Sequence, residues 1–207
     1  MNIYLEGIGK KFNTEWIFRN VSLDLHSGDT CAILGRNGSG KSTLLQVIAG
    51  NIHPTSGKLK YERDGTEIAD ADIFRHLAIV APYLEIIEDF TLDEMLKFHF
   101  SFKSCLPGTS IESIKEILDL RTRKSKIIRQ FSSGMKQRVK LALAFFSDVP
   151  LLLLDEPVMN LDKAGMEWYM ELVKDYAGKR TLLICSNQHA QESAFAGKSL
   201  QIEDFKK

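Results

Sequence analysis

A glycine-rich stretch at residues 35–43, with the sequence GRNGSGKST, constrains this chain more than any other part of it. It follows the apolar run Thr30–Leu34, which predicts a buried strand, and precedes the run Leu44–Ala49, which predicts a helix that ends at Gly50. The pattern G-x-x-x-x-G-K-[ST] between a strand and a helix is typical of a phosphate-binding loop. Its glycines let backbone N–H groups converge on an anion, and the helix N-terminus adds a favourable dipole.

The loop therefore predicts a nucleotide-binding protein. In that interpretation Lys41 reaches the β- and γ-phosphates, and the Ser42 hydroxyl is a ligand of Mg²⁺. The alternative is a glycine-rich turn that merely contains a lysine, and the strand and helix on either side argue against it. The residues predicted to hold the nucleotide are Gly35, Asn37, Gly38, Ser39, Gly40, Lys41, Ser42 and Thr43.

Bulk properties limit the partners of the chain. Its 207 residues suit one compact domain, and its 27 basic and 27 acidic side chains give no electrostatic reason to expect a nucleic-acid partner. No apolar run approaches the ~20 residues that a membrane span needs. The three cysteines are widely spaced, as is typical of reduced thiols in a cytosolic protein. We expect a cytoplasmic protein whose membrane role, if it has one, comes through a partner.

The chain shows one change of composition. Alternating runs at Ile3–Glu6 and Val21–Leu25 predict an antiparallel sheet beside the nucleotide core. From about residue 85 to residue 130 the sequence is charged and helix-forming, and its basic run at residues 121–126 is typical of a solvated face. We predict a single α/β domain over 1–207, with a core at 1–84 and 131–207 and a small inserted helical subdomain at about 85–130.

Two residues, Phe12 in the first half of the core and Ser132 at the start of the second, have competing interpretations. Ser132 precedes a predicted helix at Val139–Phe146, so it can cap that helix or bind an anion. Phe12 suits an adenine platform, but an isolated aromatic residue is more often a packing residue.

An acidic pair ends the most apolar strand. Four leucines at 151–154 indicate a central parallel strand, and Asp155 and Glu156 follow at its carboxyl end, where α/β sheets bind ligands. We predict that Asp155 holds Mg²⁺ and that Glu156 polarises the attacking water. The alternative, a charged loop, is disfavoured by the phosphate-binding loop in the same chain. Another buried strand at Thr181–Cys185 is followed by Ser186, Asn187, Gln188 and His189.

Taken together, these motifs resemble the ATP-binding subunit of an ABC transporter over essentially the whole chain. Residues 35–43 match Walker A of that family, and residues 151–156 match Walker B with its catalytic glutamate. Residues 131–138 resemble the signature LSGGQ-x-Q-R, which precedes Walker B by about 20 residues as in the family. Residues 160–162 fit the D-loop, and Phe12 falls at the aromatic A-loop position, which favours its role as adenine platform.

The resemblance implies a P-loop NTPase (RecA-like) fold that binds ATP with Mg²⁺. It also implies a head-to-tail dimer, formed with itself or with another ABC ATPase, in which each ATP lies between Walker A of one subunit and the signature of the other. The contacts implied are Ser132, Ser133 and Gly134 in the signature and Asp162 in the D-loop. The helical subdomain would bind a transmembrane permease subunit, which would hold the protein at the inner face of the membrane.

Departures from the family pattern bear on hydrolysis. Tyr83 stands where the family has glutamine, and only its hydroxyl could contact the metal shell. Asn187 stands at the switch histidine, and it can donate a hydrogen bond to the γ-phosphate but cannot titrate. Ser133 replaces the second signature glycine. Besides a transport ATPase with slow turnover, two alternatives stay open: a soluble ABC ATPase acting on ribosomes or DNA, and a slowly hydrolysing regulatory switch.

Overall fold

The computed structural model describes residues 1–120, 126–187 and 194–206. Most of the basic run at 121–126 lies outside the described residues, and so do Gln188 and His189. The chain divides into two compact units. The first comprises Met1–Ile79, Pro150–Glu156 and Lys179–Lys207, and the second comprises Val80–Val149 and Pro157–Gly178.

The strands form two sheets. In chain order they are β1 Asn2–Phe12, β2 Glu15–Leu25, β3 Thr30–Leu34, β4 Ser56–Arg63, β5 Thr66–Ile68, β6 Leu77–Val80, β7 Leu151–Asp155, β8 Thr181–Ser186 and β9 Lys198–Gln201. One sheet has the order β2-β1-β4-β5, and its successive pairs are antiparallel. The other has the order β6-β7-β8-β3-β9, in which β7–β8, β8–β3 and β3–β9 are parallel pairs.

The parallel sheet is apolar because both of its faces are covered. All four leucines of β7 and the apolar residues of β8 are fully buried, as expected for central parallel strands. Helix α1, Lys41–Ile48, begins seven residues after β3 ends and buries Leu44, Leu45, Val47 and Ile48. The carboxyl ends of β3, β7 and β8 therefore lie along one edge of the sheet, where residues 35–43, 156 and 187 follow them.

The described residues of the second unit contain four α-helices: α2 Leu92–Phe102, α3 Ile111–Leu118, α4 Ser133–Phe145 and α5 Lys163–Tyr176. Each begins at a capping side chain that accepts a hydrogen bond from a backbone N–H in the first turn. These caps are Thr91, Ser110, Ser132 and Asp162, respectively. The predicted fold class is confirmed: a mostly parallel sheet, an antiparallel sheet formed by β1, β2, β4 and β5, and helices inserted between the strands of the parallel sheet.

Helix α4 differs from its prediction. It begins at Ser133, six residues before the predicted start at Val139, because the Ser132 hydroxyl accepts a hydrogen bond from Met135 N at 3.2 Å and nucleates the first turn. The early turn is polar, so hydrophobic spacing could not reveal it. Within the described ranges, none of the helices combines the length and the apolar composition that crossing a bilayer requires.

Candidate functional site

The phosphate-binding loop surrounds a small cavity in the first unit. The cavity has a volume of about 260 Å³ and is lined by Ile17, residues 37–43 and Glu156. Gly40 has φ +107°, and a Cβ atom at this position would lie 2.6 Å from Ile17 Cγ2. A shift in the β1–β2 register leaves Ile17 between the pairs Lys10–Phe18 and Lys11–Trp16, and such a bulge redirects a side chain. Only glycine fits at position 40.

The N-terminus of α1 faces this cavity. Whereas α2 to α5 all have side-chain caps, no side chain in the described part of the sequence caps α1, whose N-cap residue is Gly40. A helix leaves its first N–H groups without intrahelical partners, and its dipole places partial positive charge at that end. The end of α1 is therefore suited to an anion.

Lys41 lies in the floor of the site and is only 4% exposed. Its ammonium donates to the carbonyl oxygens of Gly35 at 2.9 Å and Arg36 at 3.1 Å, and to Asn187 Oδ1 at 2.5 Å. An ammonium group has three protons, so all three are used. A phosphate can reach Lys41 Nζ only by replacing at least one of these acceptors.

Asn187 connects Lys41 to Glu156. Because an ammonium can only donate, the amide oxygen of Asn187 faces Lys41, and its Nδ2 donates to Glu156 Oε1 at 2.5 Å. The backbone of Glu156 has φ +49°, in the left-handed region, and its N–H donates to Cys185 O at 3.0 Å. The catalytic candidates Glu156 and Asn187 are thus brought together, within reach of the Walker A lysine.

Asp155, the last residue of β7, is 1% exposed. Among the residues described, neither of its carboxylate oxygens has a hydrogen-bond partner of acceptable geometry. Burial raises the pKa of Asp155, and the charge of Glu156 raises it further, while the nearby Ser42 hydroxyl and the charge of Lys41 act in the opposite direction. A buried carboxylate without a partner, beside a hydroxyl, is suited to a hard cation.

Two further candidates of the first unit differ in burial. The Ser39 hydroxyl is buried at the cavity and has no hydrogen-bond partner among the described residues. Phe12 ends β1 and is 49% exposed, with Lys10 Nζ lying 5.1 Å from its ring centroid. An exposed ring beside the strand that carries Ile17 is available for stacking.

In the second unit, the signature and the D-loop line one cavity of about 380 Å³. A Cβ atom on Gly134 would lie 2.8 Å from Asn160 O, so the two segments pack closely there. Ser132 and Asp162 cap α4 and α5, and Asp162 Oδ1 accepts from Gly165 N at 2.7 Å. Ser133 also lines this cavity. Tyr83 belongs to the same unit and is largely exposed. The predicted nucleotide or metal contacts of these residues stay predictions.

One residue of the site, Glu203, is not predicted by any pattern in the sequence. Glu203 Oε1 accepts a hydrogen bond from Arg36 N, inside the phosphate-binding loop, at 2.7 Å. The two residues are 167 positions apart, and no motif surrounds Glu203, so only the three-dimensional structure reveals the contact.

The site defines a P-loop nucleotide-binding protein. It combines a strand–loop–helix unit and an uncapped α1 with a buried lysine and an acidic pair at the end of β7. Comparison with known proteins narrows this class. The sequence profile described as "ABC transporter" matches residues 18–159, which is more than half of the chain. The chain belongs to the ABC transporter family.

Curated relatives support this assignment, and two of them match over most of their own length. The chain is 29% identical over 211 residues to the cytochrome c biogenesis ATP-binding export protein of Agrobacterium fabrum, covering 95% of this chain and 98% of the relative. It is 32% identical to the protein of the same name from Mannheimia succiniciproducens, over 86% of this chain and 84% of the relative. The bacitracin transport ATP-binding protein of Bacillus licheniformis is 28% identical, and the match covers 87% of this chain and 59% of that protein.

Solved structures support the fold. An ATP-binding subunit of an ABC transporter superimposes with a TM-score of 0.81 at 23% identity, covering 98% of this chain and 87% of the other. A bacterial Atm1-family ABC exporter with ATP bound gives a TM-score of 0.78 at 19% identity, covering 98% of this chain and 37% of the other.

The protein is an ATP-binding subunit of a transporter and an ATPase of the ABC class.

Proposed function

We propose that this subunit hydrolyses ATP with Mg²⁺ and that Ser42 and Asp155 hold the metal ion. The observation that carries the proposal is the buried Asp155 carboxylate, which lacks a hydrogen-bond partner among the described residues and lies near the Ser42 hydroxyl. These oxygen donors fit Mg²⁺, which is typically bound by one or two protein oxygens together with phosphates and water. When bound, the ion would neutralise charge on the phosphates.

The chain's own residues supply the remaining steps. The N–H groups at the start of α1 and the Lys41 ammonium hold the phosphates, and Lys41 exchanges one of its three present acceptors for a phosphate oxygen. Glu156 accepts a proton from the attacking water, because it is the carboxylate that lines the phosphate cavity. Asn187 fixes the orientation of that carboxylate through its Nδ2.

We further propose a head-to-tail dimer in which Ser132, Ser133 and Gly134 of one subunit contact the γ-phosphate held by the other, with Asp162 nearby. A hydroxyl has one donor and two acceptor sites, so Ser132 can cap α4 and still donate to a phosphate oxygen. A γ-phosphate bound between subunits favours the closed state over the open one, which is what ligand-driven switching requires. Phe12 would stack on adenine, and the Tyr83 hydroxyl would contact the metal shell.

The partner in the membrane is proposed to be a transmembrane permease subunit, bound through residues 85–130, which would place the protein at the cytoplasmic face. The names of the relatives, which include an export protein and a bacitracin transport protein, support coupling to transport. Purification from membranes with an affinity-tagged chain should recover an integral membrane protein. Recovery of ribosomes or DNA instead would favour the soluble alternative.

Steady-state phosphate release from Mg²⁺-ATP tests the catalytic proposal. We expect Glu156→Gln to abolish detectable steady-state turnover, leaving only a slow single-turnover rate, while ATP still binds, and to trap an ATP-dependent dimer in sedimentation experiments. Glu167→Gln, which changes an exposed carboxylate on α5, is the matched control and should behave as wild type. Turnover that persists in Glu156→Gln, or that needs no divalent cation, would contradict the proposal.

A slowly hydrolysing switch is the second candidate, and the neutral Asn187 at the centre of the site favours it. If the wild-type protein binds ATP without turnover and Asn187→His restores hydrolysis, the protein acts as a switch or needs a partner ATPase. If wild type turns over and Asn187→His is equal or faster, Asn187 is a functional replacement and the protein is a motor.

A further inference from the structure

The parallel pairing of β3 and β9 brings a second acidic side chain to the phosphate-binding loop. Ile33 pairs with Leu200 and Leu34 with Gln201, so the residues that follow each strand are also neighbours. After β3 the chain continues as Gly35 and Arg36. After β9 it continues as a 3-10 turn, Ile202–Phe205. The pairing therefore places Glu203 beside the first peptide group of the loop.

The contact is specific to that peptide group. Glu203 Oε1 accepts the N–H of Arg36 at 2.7 Å, and a Cβ atom on Gly35 would lie 2.8 Å from Glu203 Oε2. The carbonyl of the same peptide group, Gly35 O, accepts a hydrogen bond from Lys41 Nζ at 2.9 Å. The peptide is thus held at both ends, by a carboxylate on its N–H and by an ammonium on its C=O.

Several observations show that this arrangement is tightly fitted. Gly35 has φ +153°, and a Cβ there would also meet Ser39 Oγ at 2.6 Å and Ile202 Cγ2 at 2.7 Å. The hydrogen bond from Arg36 N lowers the pKa of Glu203, so its carboxylate is charged at neutral pH. Hydrogen bonds to charged groups are stronger than neutral ones, and chains of them reinforce one another.

We infer that Glu203 is a positioning residue for the nucleotide site: it fixes the Gly35–Arg36 peptide and, through that peptide, the position of the Lys41 ammonium. The inference rests on the proposed nucleotide site for its functional consequence, but the anchoring itself is a property of the nucleotide-free protein. It predicts that loss of Glu203 loosens the loop and weakens nucleotide binding without impairing the chemical step.

Charge repulsion between Glu203 and the nucleotide would predict the opposite change in nucleotide affinity. A carboxylate near the phosphates would repel them, and its removal would then strengthen binding. Glu203→Gln distinguishes the two, since glutamine keeps an oxygen acceptor for Arg36 N–H but carries no charge, whereas Glu203→Ala removes both. Asp204→Ala is the matched control, because Asp204 is the next acidic residue and is exposed.

Two measurements test the inference. In the nucleotide-free protein, amide hydrogen exchange at Arg36 should be at least about tenfold faster in Glu203→Ala than in wild type or Asp204→Ala, since a hydrogen bond to a charged group is worth about ten- to a hundredfold in an equilibrium constant; Glu203→Gln, which keeps a neutral acceptor, should be intermediate. In titrations with a fluorescent ATP analogue, Glu203→Ala should raise Kd by about 5- to 20-fold, and Glu203→Gln should raise it by less.

In steady-state hydrolysis, Glu203→Ala should raise KM and leave kcat unchanged, which a general loss of folding would not produce. Unchanged exchange at Arg36 would overturn the anchoring. Tighter nucleotide binding by both Glu203 variants would overturn the positioning role in favour of charge repulsion. Failure of the wild-type protein to bind ATP would instead refute the proposed nucleotide site, and the exchange measurement would still decide the anchoring.

Discussion

The bridge made by Asn187 supports a quantitative prediction for the variant Asn187→Ala. The substitution removes the 2.5 Å hydrogen bond from Asn187 Nδ2 to Glu156 Oε1 and leaves Glu156 in place. A hydrogen bond to a charged group contributes about 1.5–3 kcal/mol, and each ~1.4 kcal/mol corresponds to a factor of ten in rate. Because Asn187 is only half-buried, water replaces part of the lost bond. We therefore expect kcat to fall by about 10- to 30-fold.

The KM for ATP should rise by no more than about twofold. The same substitution removes one of the three acceptors of Lys41, and this frees a proton of the ammonium for a phosphate oxygen. Phosphate release at saturating Mg²⁺-ATP measures kcat, and a titration of ATP measures KM. Asn51→Ala, which changes an exposed asparagine after α1, is the control and should leave both constants unchanged.

A double-mutant cycle with Glu156→Gln decides whether Asn187 acts through Glu156. If it does, adding Asn187→Ala to Glu156→Gln should lower the residual single-turnover rate by less than about threefold, because the carboxylate that Asn187 orients is already absent. Fully additive losses, or a kcat of Asn187→Ala within twofold of wild type, would refute the reasoning.

The exposed Phe12 ring, the strained Gly40 backbone and the buried His99 imidazole can each be tested by substitution. Phe12→Ala should weaken binding of a fluorescent ATP analogue by about fivefold or more, because stacking of a base on an aromatic ring contributes about 1–3 kcal/mol. Phe12→Tyr keeps the ring and should bind as wild type. Equal binding by the two variants would exclude Phe12 as an adenine platform. Gly40→Ala should abolish nucleotide binding, and adding Ile17→Ala should recover little of it, since φ +107° stays unfavourable even when the 2.6 Å contact is relieved. Burial lowers the pKa of His99 to about 4, so between pH 6.5 and 4 the unfolded chain binds a proton that the folded chain does not. The free energy of unfolding should therefore fall by about 1 kcal/mol from pH 7 to 5, allowing for screening. In urea denaturation, His99→Gln should show a smaller decrease of this free energy over the same pH range.

Most of the architecture could be predicted because its signals are local. The four leucines of β7 require a strand covered on both faces, and the glycines and the lysine of residues 35–43 specify the loop with its flanking strand and helix. The start of α4 could not be predicted from hydrophobic spacing, since its first turn is polar and a single capping hydroxyl at Ser132 determines it.

The hydrogen bonds within the site were harder to predict than the residues that form it. Asn187 was identified as a candidate from the family pattern, but its hydrogen bond to Lys41 joins residues 146 positions apart. The contact between Glu203 and Arg36 depends on the parallel pairing of β9 with β3, and no local pattern specifies that pairing. The nucleotide, metal and dimer contacts of the candidate residues, and the boundaries at 85 and 130, stay predictions.

The three hydrogen bonds of the Lys41 ammonium are unequal, and this determines how a phosphate can enter the site. Gly35 O belongs to a peptide group that Glu203 holds from the other side, and Arg36 O also accepts a hydrogen bond from Ser39 N at 3.1 Å, so neither carbonyl can move without disturbing the loop. Asn187 Oδ1 belongs to a side chain, so the loss of its hydrogen bond to Lys41 leaves the backbone of the loop undisturbed. The bond from Lys41 to Asn187 is therefore the one that we expect a phosphate oxygen to replace. Because the ammonium can turn a proton from Oδ1 to a phosphate oxygen without any movement of the amide, Asn187 Nδ2 can continue to donate to Glu156, and nucleotide binding can engage the lysine while the Glu156 carboxylate stays in position.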